Sequence, residues 1–230
     1  MDMQTMNELL YTPLDLYCER TAAGPLAEPL NLASNAGFLA VALILYSAAK
    51  RRKFRHKNQL YWLSTVAVLV GVGSAAFHSY PNRLTQAADV APIALFVTLV
   101  VLFYFKNLFD DGFRLKKPLI LCVASLILAP CLAHVFGFAQ VLAGGEFYLG
   151  IIPALGVLAI YDRDRPRRLR LILTALVFGA AYGARTLDPL LCENAPYGTH
   201  FIWHLLTSIA AYVMASIQML ANLPMRGERR

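Results

Sequence analysis

The sequence predicts an all-α, polytopic membrane protein with seven transmembrane helices, its amino terminus outside and its carboxyl terminus cytoplasmic. Three observations carry this expectation. Of the 230 residues, 58% are hydrophobic and only 15% charged, where a soluble domain carries roughly 25% charged and about 45–50% apolar residues. The apolar residues fall in seven long blocks rather than in an amphipathic pattern, and about 20 such residues span a bilayer core. The basic residues, finally, alternate from one side of these blocks to the other.

Taken in order, the elements begin with residues 1–29, which hold five acidic residues (Asp2, Glu8, Asp15, Glu19, Glu28), the single basic Arg20 and no apolar signal-peptide core. They read as a short external arm. The runs follow at Leu30–Ala49, Tyr61–His78, Gln86–Phe105, Leu119–Phe138, Phe147–Tyr161, Leu169–Leu187 and Thr199–Ala221, the fifth being the shortest. Short connections place all of them in one domain over residues 30–221, followed by a basic cytoplasmic tail at 222–230. Pro118 falls just inside a helix start, where its missing N–H costs nothing. Pro130 and Pro153 are expected inside helices, as kinks that buried neighbours tolerate. Gly71, Gly73, Ser74, Ala75 and Ala76 give the second run a face of small residues, suited to close helix packing and to clearing space for a metal or an acyl chain.

Eighteen of the 21 Lys and Arg fall on one side: the cluster from Lys50 to Lys57, Lys106 to Lys117, Arg163 to Arg170, and the tail. Only Arg20, Arg83 and Arg185 fall on the other. The positive-inside rule makes the basic side cytoplasmic, and the two termini on opposite sides require an odd number of helices. The net charge of +7 is therefore topological and calls for no nucleic-acid partner. Uniformly short loops and the lack of a sorting signal point to a bacterial inner membrane.

The chemistry lies in three histidines and an aspartate at the external ends of these helices. His78 closes the second run. His200 and His204 form an HxxxH pair opening the last one, one helical turn apart on one face. Asp89 lies in the first turn of the third run, and Ser74 one turn below His78. Ionisable side chains at membrane depth are costly and mark functional sites. Three neutral imidazoles with a fourth position open form the ligand set of a catalytic zinc, whose bound water is acidified towards about pH 7. Asp89 is the expected general base and then acid, and Ser74 the group that orients the water or donates to the developing oxyanion. His56, in a basic loop, and His134, with no polar neighbours in sequence, are left outside the site. Cys122 and Cys131 read as small apolar residues of the fourth run. Cys18 and Cys192 fall in external segments, where an oxidising compartment permits a bridge, but spacing alone does not fix the pairing.

Four motifs, in this order, resemble the alkaline ceramidase family, within a superfamily of seven-helix membrane hydrolases that also takes in the progestin and adiponectin receptors. They are the arm LYCER with EPLNLASN, GSAAFH followed by Asp89, RTLDPLLCE, and HFIWH. The resemblance implies zinc on His78, His200 and His204, with Asp89 and Ser74 beside the bound water. It implies a disulfide between Cys18 and Cys192. It also implies calcium on the external arm through Glu19 and Glu28, although the arm is about two residues shorter than the family's and has Leu16 where an acid is usual, with Asp15 as the substitute after a shift. The expected activity is zinc-dependent hydrolysis of the N-acyl bond of ceramide or a related acyl-amide lipid in the membrane, giving a fatty acid and an amine. A non-enzymatic lipid receptor of the same superfamily is the alternative. A metal transporter is disfavoured, because polar residues are scarce along the runs below the external layer.

Overall fold

Without water in the hydrocarbon, a spanning backbone must satisfy its own hydrogen bonds, and an apolar block therefore becomes a helix. The computed structural model describes residues 2, 8, 10–51, 57–110, 116–138, 142 and 145–221. The tail at 222–230, His56 and much of the first basic cluster lie outside them. The helices are α1 (Pro29–Ser34), α2 (Ala36–Arg51), α3 (Lys57–Ser79), α4 (Arg83–Asp110), α5 (Lys116–Val135), α6 (Ile151–Tyr161), α7 (Arg165–Leu187) and α8 (His200–Ala221). Short 3-10 turns at Glu146–Tyr148 and Asp188–Leu190 precede α6 and follow α7. No strand occurs among the described residues. Six segments are long and apolar enough to cross a membrane, α1 and α2 together forming the first. The segment Glu146–Tyr161 is the shorter seventh.

Two prolines differ from expectation. Pro153 is the third residue of α6, in its first turn and not its interior, so the helix loses no internal hydrogen bond there. Pro92, which sequence analysis passes over, does lie inside α4.

The pairs α2–α3, α3–α4, α5–α6, α6–α7 and α7–α8 pack side by side, and α8 also touches α1, α2, α3 and α4, so it occupies the centre of the bundle. That position follows from its composition: Trp203, Ala210, Met214, Ala215 and Ile217 are all buried. Leu45, Leu60, Leu63, Leu158 and Leu171 complete the core. Leu43, Trp62, Leu102, Ile120, Ile160 and Leu176 point outward, as side chains facing lipid do. Lipid is as apolar as leucine, so close packing rather than hydrophobic exclusion holds such helices together. Gly73 shows how close: a Cβ there would lie 2.1 Å from the backbone oxygen of Ala88. Glycine is what lets α3 meet α4 at this depth.

The basic end of the bundle holds polar contacts that sequence analysis overlooks. Asn107 donates to Gln59 (3.2 Å) and to Gln218 (2.7 Å), and Gln59 donates back to Asn107 (3.1 Å). The Tyr104 hydroxyl donates to Asp162 (2.6 Å), which also accepts from Arg167 at 3.0 Å. These groups are tied off against one another.

Candidate metal centre

The site is assembled where α3 ends and α8 begins. The first amides of a helix have no partners within it, and those of α8 find theirs in Asp188. Its Oδ1 accepts from the backbone N–H of Thr199 (2.6 Å) and His200 (2.9 Å), and its Oδ2 from that of Cys18 (3.1 Å). Gly198, at φ +61°, makes the turn possible, since a Cβ would fall 2.1 Å from Asp188 Oδ1. Cys18 and Cys192 are joined by a disulfide, with Cα atoms 4.9 Å apart. One aspartate and one disulfide thus hold the arm, the loop before α8 and His200 together. Asp188 stands within a recognised motif, yet sequence alone gives it no role.

His78, His200 and His204 are all buried, and one ring nitrogen from each lies within 4.8 Å of the others. Their partners decide what those nitrogens are. His78 Nδ1 lies 2.5 Å from a Glu28 carboxylate oxygen, and His204 Nδ1 lies 3.0 Å from the Asn31 carbonyl oxygen. Both acceptors require a proton on Nδ1. Ser34 gives its own proton to the Asn31 carbonyl (2.9 Å) and accepts from His204 Nδ1 at 2.8 Å. In neutral rings each Nε2 then carries a lone pair, and these two nitrogens face each other at 3.2 Å. His200 Nδ1 is buried without any hydrogen-bond partner. Facing lone pairs and a buried ring nitrogen without a partner are costly, and a cation among them would relieve both. With one ring nitrogen from each histidine within 4.8 Å of the others, the three form a donor set that could hold a metal ion. Glu28 fits as well, as the carboxylate that orients a metal-binding imidazole. Burial opposes its ionisation, but hydrogen bonds from His78, Asn31 and Arg20 outweigh this and hold its carboxyl below the usual range.

Asp89 and Ser74 meet across the α3–α4 contact that Gly73 permits. The Ser74 hydroxyl is in hydrogen-bonding reach of the Asp89 carboxylate, and His78 stands nearby. The structure thus brings together all five residues expected at the external layer. It adds Tyr17, stacked on His200 with ring centroids 3.6 Å apart. Burial pushes the Tyr17 hydroxyl well above its ordinary pKa, keeping it protonated. It adds Arg185, buried in the same layer, whose guanidinium donates to the Leu142 carbonyl (3.2 Å) and lies over the Tyr148 ring. Tyr17 falls in an arm read for its acids and cysteine, and Arg185 was counted only for topology. His134 is exposed and Cys131 likewise, whereas Cys122 is buried.

Towards the middle of the membrane lies an apolar cavity of about 100 Å³, bordered by Phe38, Val70, Phe96, Phe178, Trp203 and Thr207 among others. Trp203, next to His204 in sequence, and Thr207 are the α8 residues of its lining that stand nearest the histidines along the helix.

Glu19 and Glu28 do not form an open carboxylate pair. Glu19 accepts from the backbone N–H groups of Leu30 (2.6 Å) and Asn31 (2.8 Å), and so caps α1. Glu28 accepts from Arg20 Nε (2.5 Å) and from Asn31 Nδ2 (3.0 Å), besides its contact with His78. Each of the four oxygens already accepts a hydrogen bond from the protein, and Arg20 already supplies positive charge at Glu28, so these carboxylates fit a calcium ion poorly as they stand.

Comparison with known proteins gives one match. The family described as Ceramidase matches over residues 16–230. Neither curated proteins nor solved structures return one.

Proposed function

The chain belongs to the ceramidase family, whose activity is amide hydrolysis in a lipid, and on that premise we propose that it is a zinc-dependent intramembrane amidase. It cleaves the N-acyl bond of ceramide or a related acyl-amide lipid. The observation that carries this reading is the approach of His78 Nε2 and His204 Nε2 to 3.2 Å beside a buried His200 Nδ1 that has no hydrogen-bond partner.

His78, His200 and His204 hold the zinc, which when bound supplies Lewis acidity towards the amide carbonyl and acidifies water. The residues around it do the rest. Glu28 and the Asn31 carbonyl fix the proton on Nδ1 of His78 and His204, keeping both rings in the ligating tautomer. Asp89, held by Ser74, takes a proton from the attacking water as the new C–O bond forms. It returns that proton to the amide nitrogen as the C–N bond breaks, leaving a fatty acid and an amine. The cavity below Trp203 receives the acyl chain and positions the carbonyl at the histidines. With the amino terminus outside, the site opens at the external leaflet. The many basic residues at the opposite end then face the cytoplasm.

Detergent-purified protein is expected to release fatty acid from a fluorescent ceramide. Asp89→Asn should slow that release by about 10²–10⁴-fold while retaining zinc. A zinc-loaded protein inert towards ceramide but active on another acyl amide would move the substrate assignment. Zinc binding with no turnover of any amide would contradict the enzyme reading and leave the receptor reading in its place.

A further inference from the structure

We propose, on the reading of His78 as a metal ligand, that Arg20 is a built-in cation that locks the external arm onto His78, making the arm independent of calcium. The family resemblance places a calcium ion on this arm. A calcium ion needs six to eight oxygens at about 2.3–2.6 Å. The two acids the resemblance offers are already engaged, Glu19 with the first amides of α1, and Glu28 with Arg20, Asn31 and His78, while Asp15 is exposed. The Asn31 and Asn35 Oδ1 atoms are buried nearby without partners, but two neutral amide oxygens bring no charge to hold a dication. The positive charge that Glu28 calls for is present in the chain itself.

Arg20 is placed to do more than neutralise. Its side chain is 9% exposed. Its Nε donates to Glu28 Oε1 at 2.5 Å, and its Nη2 donates to the backbone oxygen of His78 at 2.8 Å. The other Glu28 oxygen accepts from His78 Nδ1. Arg20 and Glu28 therefore close a ring around one residue, gripping His78 by its imidazole and by its carbonyl. The carbonyl lies in the last turn of α3, where helix oxygens lack partners and favour a cation. A guanidinium presents several donors in a fixed fork, so one side chain satisfies both a carboxylate and a carbonyl, as a bound metal ion would. Calcium at Glu28 would sit beside the Arg20 guanidinium or pull the carboxylate away from it, and either loses the charge pairing that Arg20 now provides. Arg20 is on this account a positioning residue, acting on the metal centre through Glu28.

The test is equilibrium dialysis with radioactive calcium on the intact, detergent-purified protein, together with zinc affinity measured by chelator competition with and without calcium. The wild-type protein should bind no calcium at about 1 mM, the weak end of protein calcium sites, and its melting temperature should not move with calcium. Arg20→Gln should lower zinc affinity by about 10–100-fold, the usual effect of removing an outer-shell partner, and Arg20→Lys should recover part of that loss. One calcium bound per wild-type chain, or a calcium-dependent rise in melting temperature, would overturn the proposal. An Arg20→Gln protein that melts earlier but keeps wild-type zinc affinity would also overturn it, by assigning Arg20 to the fold alone. Absence of zinc from the wild-type protein would count against the zinc site, whereas the calcium dialysis needs no zinc and decides calcium independence separately.

Discussion

The two ends of the bundle treat buried polar groups in opposite ways. At the basic end, Gln59, Asn107 and Gln218 bond to one another, and Tyr104, Asp162 and Arg167 do the same. At the histidine end five buried side-chain atoms have no partner: Asn31 Oδ1, Asn35 Oδ1, Glu146 Oε2, Tyr182 Oη and His200 Nδ1. Among the described residues, every such atom lies at that end. Folding alone favours closing these groups off, because an unpaired buried polar atom costs about 1–3 kcal/mol. The basic end therefore behaves as a fastening. The histidine end carries unmet hydrogen-bonding capacity of the kind a ligand, an ion or water would meet.

The difference can be tested from both sides. Asp188→Ala should have the largest effect, since one buried carboxylate accepts three backbone N–H groups from the arm and α8. A loss of about 3 kcal/mol or more is expected, with zinc affinity falling in parallel, readable by chemical denaturation and chelator competition. Gly73→Val should come next. Its side chain would meet the Ala88 backbone, costing about 1–3 kcal/mol through overpacking. Activity should fall further than stability, because the same contact sets Ser74 against Asp89. Asn107→Leu should be the mildest. It removes one hydrogen-bond partner from Gln218 and the partner of the Gln59 amide and should cost about 1–3 kcal/mol, yet the folded fraction should keep wild-type turnover. A catalytic defect in Asn107→Leu equal to that of Gly73→Val would erase the distinction between the two ends.

The same contrast explains what the sequence made legible. Helix spans could be read because hydropathy is a local average, and the shortest apolar run falls in Glu146–Tyr161, the apolar segment that is shorter than the six spanning ones among the described residues. His78, His200, His204, Asp89 and Ser74 could be grouped because helix direction fixes which ends share a depth. The disulfide came from resemblance, as pairing leaves no local trace. The outer partners of the site stayed hidden for a related reason. Glu28 and His78 are 50 residues apart, and Ser34 and His204 are 170 apart. Each looks ordinary in its own neighbourhood: an acid before a helix-starting proline, a serine in an apolar helix. Asp188 and the Gln59–Asn107–Gln218 cluster escaped likewise, since their meaning lies in contacts that only packing creates.

The most direct test of the metal centre is the zinc content of the detergent-purified protein beside its His200→Ala and His204→Ala variants. About one zinc per chain is expected in the wild type, lost from both variants along with amidase activity. An intact protein that carries no zinc after purification in zinc-supplemented buffer, or variants that keep their zinc, would contradict the three-histidine site.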